Sequence, residues 1–93
     1  VMFFVSHETI LKLDKEPENL DQVLLDMGFR LDRDMSVDEL KLYVKGDETS
    51  GISVWYSNHG SYEVTITIPP YGEIKELIRI TEHLKRKYPN QTS

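Results

Sequence analysis

The 93-residue chain contains no cysteine. Disulfides and thiolate metal sites are therefore excluded, and a reducing compartment is compatible with the composition. No apolar run approaches the ~20 residues that a membrane-spanning helix requires, and no signal peptide is recognisable. These absences point to a cytoplasmic location without membrane attachment. Clustered positive charge is missing as well. The net charge is −5, with 12 acids against 6 bases in residues 1–50 and 4 against 5 in residues 51–93. Phosphate binding needs grouped Lys and Arg, so a broad nucleic-acid surface is disfavoured. The acidic half reads as a solvated surface that aids solubility.

Catalytic signatures are equally scarce. His7, His59 and His83 are scattered, with neither a His-Glu-x-x-His pattern nor zinc-ligand spacing. Ser6, His7 and Glu8 are residue types of a catalytic triad, but neighbours in a strand point to opposite faces. No glycine-rich loop precedes a helix to cradle phosphate. Asp32, Asp34, Ser36 and Asp38 alternate like the start of a calcium loop. Val37, however, stands where that loop needs glycine, and Tyr43 where it needs glutamate. No metal, cofactor or catalytic residue is expected.

What is present describes a folded domain. Hydrophobic residues at 39% and charged residues at 29% suit a globular protein, and the length suffices for one small core. Residues 1–93 read as a single α+β domain. The opening Val1–Met2 fits either a fragment of a longer protein or an extra residue ahead of the start.

The stretch 51–68 is the most legible. Ile52, Val54 and Tyr56 alternate with Ser53, Trp55 and Ser57. Tyr62, Val64, Ile66 and Ile68 alternate with Glu63, Thr65 and Thr67. Period-two alternation in β-branched and aromatic residues predicts a hairpin. Asn58–His59–Gly60 serves as its three-residue loop, with Gly60 supplying the left-handed conformation. That loop pairs Ser57 with Ser61 and Val54 with Val64.

Elsewhere the patterns are shorter. Met2–Val5 reads as a strand that Ile10–Leu13 continues after a polar break at Ser6–Glu8, with a helical turn over 7–13 as the competitor. Pro17 opens a helix whose stripe is Leu20, Val23, Leu24 and Met27, and Gly28 closes it. Phe29 is placed to fold back onto Leu24. An edge strand follows at Phe29–Asp34. Residues 40–45 are favoured as a strand over a helix capped at Ser36. Asp47–Gly51 forms a turn into the hairpin. Pro69–Pro70 ends the sheet, and a last helix buries Ile74, Leu77, Ile78, Thr81, Leu84 and Tyr88, with Ile80 at the margin.

The fold class expected is α+β, an antiparallel meander of three to five strands with two helices on one face. Leu40, Leu42 and Val44 are assigned to the core face. Lys41, Tyr43, Lys45, Trp55 and Thr65 then share the open face, where a Trp–Tyr pair suggests an interface hot spot. The function expected is a non-enzymatic protein-binding or regulatory module whose partner is another protein or a second copy of itself. One alternative is a single-stranded nucleic-acid binder stacking bases on Tyr43 and Trp55. Another is a small enzyme with an unrecognised site. A second candidate surface is the basic face of the last helix, formed by Lys75, Arg79, His83 and Arg86.

Overall fold

A computed structural model describes residues 6–46 and 51–89. The strand expected at Met2–Val5 and most of the turn over Asp47–Gly51 lie outside the described residues. The elements in chain order are β1 (His7–Leu13), α1 (Leu20–Asp26), β2 (Arg30–Val37), β3 (Leu40–Lys45), β4 (Ile52–Ser57), β5 (Tyr62–Ile68) and α2 (Ile74–Lys87). The five strands form one antiparallel sheet in the order β1-β5-β4-β3-β2. Four consecutive strands thus form a meander, and β1 returns beside the last of them. The fold is α+β, as the alternation and helical stripes predict.

One face of the sheet carries the core. Leu11 and Leu13 of β1, Val64, Ile66 and Ile68 of β5, and Val54 and Tyr56 of β4 join a single cluster with Leu20, Leu24, Leu77, Ile80 and Leu84 of the helices. α2 lies over β1 and β5, and α1 packs beside β2. Fully burying each aliphatic side chain contributes about 1.5–3 kcal/mol. β1 begins at His7, so His7 and Glu8 belong to the strand rather than to the expected polar break, and no helical turn forms over 7–13. In β1, Leu11 and Leu13 face the core with His7 and Thr9 on the same side, and Glu8, Ile10 and Lys12 alternate with them on the other, as period two demands.

Helix α1 starts later than Pro17 suggests. Pro17 is buried ahead of the helix, and Asn19 caps it with φ 57, a left-handed conformation that asparagine tolerates. The far end follows expectation. Gly28 has φ 94. The N–H of Gly28 donates to the Leu25 carbonyl, and that of Phe29 donates to Leu24 at 2.9 Å. This is a Schellman closure, and it carries Phe29 back into the core beside Leu24.

One register and two buried faces differ from the expected ones. In the hairpin, Ser57 pairs with Glu63 and Val54 with Ile66, so the loop is wider than three residues. The Asn58 N–H donates to Glu39 at 3.0 Å, extending the β3–β4 ladder rather than closing a tight turn. Faces are unchanged because the slip is an even number of residues, and Gly60 still adopts φ 88. In α2, Ile80 is fully buried while Ile74 and Ile78 are 52% and 55% exposed. The apolar stripe is wider than the sheet can cover, and the helix turns its Leu77–Ile80–Leu84 side inward. In β3, finally, Tyr43 pairs with Val54 and Leu42 with Trp55. Tyr43 is therefore on the core face, and Leu40, Leu42 and Val44 are on the open one.

The reason for the β3 reversal lies in α1. The Tyr43 ring is 2% exposed, and its hydroxyl donates to the Asp21 carboxylate. Lys45, on the same face, extends along the Phe29 ring with its ammonium 6.0 Å from the centroid. Lysine stems cover apolar surface while their charged ends reach water. The margin of the core thus accepts Lys–Tyr–Lys as readily as three aliphatic residues.

Candidate functional site

The open face is built row by row from the strand pairings. Ile10, Thr65, Trp55, Leu42 and Asp32 lie side by side across β1, β5, β4, β3 and β2. Trp55 stands at the centre of that row, partly buried. Of the predicted binding residues, Trp55 and Thr65 are therefore neighbours. Tyr43, Lys41 and Lys45 are on the opposite face, and the Trp–Tyr patch does not form. Base stacking on both rings has no geometric basis, because they face opposite sides of the sheet.

In place of Tyr43, the structure sets Leu42 beside Trp55. Leu42 is 8% exposed although it belongs to the open face, and it stands outside the main core cluster. Strand β2 arches beside it through a local polar knot. The Asp32 carboxylate accepts the N–H groups of Asp34 and Met35 at 3.1 and 3.2 Å. The Ser36 hydroxyl donates to the Asp32 carbonyl at 2.6 Å and accepts the Leu42 N–H at 3.0 Å. The β2–β3 register shifts across this knot, as a bulge does when it bends a strand. The alternating Asp32, Asp34 and Ser36 are turn formers here. No group of three or more metal-type ligands occurs among the described residues.

Between the arch and the sheet lies a groove of about 660 Å³, lined by Arg30, Asp32, Arg33, Leu42, Val44 and Trp55 among others. Arg30 is tethered, its Nη1 donating to the Gly46 carbonyl at 3.2 Å. Exposed apolar residues continue the face beyond the groove, with Ile10 at 49%, Leu40 at 38% and Val37 at 66%. The groove thus has an apolar floor and a rim of both charge signs. Sequence reasoning missed Leu42, Val44 and the β2 rim because it turned β3 the other way. Asp21, one helix away and able to receive a tyrosine hydroxyl, was the available signal.

The basic face of α2 is less free than its composition suggests. Arg79 donates through Nε and Nη2 to both Glu76 carboxylate oxygens at 3.0 and 2.7 Å, and this pairing holds Glu76 below the usual carboxylate range. Lys75 and Arg86 are exposed and His83 is partly buried.

On the core face, burial raises the Tyr43 hydroxyl well above its ordinary range, and the bond to Asp21 adds to the effect. Burial, with Glu16 nearby, pushes Tyr56 up to about 12 from its ordinary 10.0. Both groups are neutral when protonated. Above pH 10 the unfolded chain therefore releases protons that the folded chain retains, and stability declines as pH rises toward 12. The urea midpoint is expected to fall between about pH 8 and about pH 11, with Tyr56 alone accounting for roughly 1 kcal/mol at the upper value. A midpoint that stays constant over this interval would contradict the burial of these hydroxyls.

These features define the class of molecule: a small α+β domain that covers one sheet face with helices and leaves a grooved, partly apolar face open. No protein family, curated protein or solved structure was found to match this chain. No helix among the described residues is long and apolar enough to cross a membrane.

Proposed function

We propose that the protein is a non-enzymatic binding module, regulatory in role, that docks a segment of another protein across Trp55 on the open face. The observation that carries this reading is the groove whose floor is Leu42, Val44 and Trp55. A large aromatic half-sunk in an apolar depression with a polar rim is the usual anchor of a protein interface. Arg30, Asp32, Arg33 and Asp34 line the groove together from β2, so it offers both signs to a polypeptide bearing an apolar side chain. A nucleic-acid strand would find one ring with acids beside it. The cytoplasmic assignment rests on the absence of cysteine and belongs to this same reading.

The test uses the full chain immobilised beside a Trp55→Ala form whose circular dichroism matches the parent. A protein retained by the parent is purified and titrated against both, with the single tryptophan as the fluorescent reporter in the parent. Affinity is expected to fall by roughly thirtyfold, the effect of losing a hot spot worth ~2 kcal/mol. Equal affinity of the two forms would remove Trp55 from the interface. Salt-sensitive binding of a single-stranded oligonucleotide, abolished in the Trp55→Ala form, would replace the protein reading with the nucleic-acid one.

A further inference from the structure

The two edges of the sheet are treated differently. β2 is irregular, its pairing shifted between Asp32 and Val37, and it carries four charges, Arg30, Asp32, Arg33 and Asp34, within five residues. Bulges and dense charge are how edge strands avoid pairing with other chains. β1 has no bulge, and its charges are limited to Glu8 and Lys12 beside His7. Its seven residues, HETILKL, contain no proline or glycine and pair with β5 without a break from His7 to Leu13. Among the described residues no strand pairs with its outer side, where backbone donors and acceptors form a row.

We infer that β1 is a homodimer edge, pairing antiparallel with β1 of a second copy about a two-fold axis at Ile10. The side chains fit that arrangement. Glu8, Ile10 and Lys12 share the open face, since Ile10 lies beside Thr65 and the others are two residues away. An antiparallel pair centred on Ile10 sets Ile10 against Ile10 and Glu8 against Lys12 of the second copy, twice. An edge lysine by itself repels a pairing strand; here each Lys12 meets a Glu8. Among the described residues the ion pairs are His59–Glu39 and Arg79–Glu76, so neither Glu8 nor Lys12 is closed into one, and Lys12 has Glu63 as its cross-strand neighbour on β5.

The opposite face supports the same partner. Lys87 of α2 lines a cleft with Val23 of α1, and Glu76 lies within electrostatic reach of Lys45 on β3. That flank of α2 looks toward α1. At about 100° per residue, Ile74 and Ile78 fall on the other flank, which overlooks the β1 edge, and both are half-exposed. α2 packs on both β1 and β5, so this flank is the one nearer a copy joined through β1, and the exposed isoleucines are the apolar surface that the second copy would meet there.

The pairing does not use Trp55, so it stands independently of the open-face reading. Sedimentation equilibrium of the full chain is expected to show a dimer. Glu8→Lys and Lys12→Glu, both at exposed positions, each place like charges opposite one another twice, and each is expected to weaken self-association about tenfold or more. Mixing the two variants restores opposite charges at both contacts, and a heterodimer of parental affinity should form. The Trp55→Ala form should remain dimeric. A monomeric parent chain would overturn the inference, as would charge variants that dimerise like the parent or fail to complement each other.

Discussion

Replacing Tyr43 by alanine is expected to destabilise the protein by about 3–5 kcal/mol, the range for deleting a buried aromatic side chain. Trp55→Ala, by contrast, should cost much less, because Trp55 keeps part of its surface in water and stands outside the main core. The difference follows from the register of β3. Tyr43 sits opposite Val54 in the core cluster and reaches α1 through Asp21, so its loss opens a cavity and detaches a tie between sheet and helix. Domains of this size carry about 5–15 kcal/mol in total, and the alanine form should be partly unfolded at modest urea concentrations. Tyr43→Phe separates the two contributions. It keeps the ring and removes the hydroxyl bond, for a loss of about 1–2 kcal/mol. Urea unfolding of the three variants checks the ordering, and a Trp55→Ala loss as large as that of Tyr43→Ala would contradict the two-face description.

Phe29→Ala should be as damaging, at about 3–5 kcal/mol. Phe29 is 1% exposed and closes α1 through its N–H bond to Leu24. Its ring lies between the end of that helix and the Lys45 side chain. The alanine form keeps the backbone bond but empties the space under Lys45, and a loop end held by Gly28 can collapse only in part. Leu31 is the internal control. It lies two residues further on, in β2, and pairs with Tyr43, yet it is 36% exposed, and Leu31→Ala should cost less than about half as much. Equal losses at the two positions would mean that the α1–β2 junction does not organise the core as described.

Much of this architecture is legible in the residue order. The strands of the hairpin follow from period-two alternation between Ile52 and Ile68, and the end of α1 follows from Gly28 preceding an apolar Phe29. β2 and β3 also occupy nearly the residues their patterns indicate. The candidate site was less legible. Trp55 and Thr65 share the open face as expected, but Tyr43, Lys41 and Lys45 do not join them. The segment 40–45 alternates Leu, Lys, Leu, Tyr, Val, Lys, and each parity offers enough apolar surface to serve as the inner one.

Local sequence by itself determined which segments become strands and helices, though not every boundary, because alternation, helical stripes and glycine at a left-handed turn act within a few residues. Tertiary structure alone decided which way β3 faces and which side of α2 is buried. Both segments carry apolar surface on more sides than one, so the choice passes to their neighbours. Asp21 and Phe29 draw Tyr43 and Lys45 inward. The width of the sheet beneath α2 leaves Ile74 and Ile78 outside. The groove at Trp55 exists because the first of these choices sent Leu42 and Val44 to the open face.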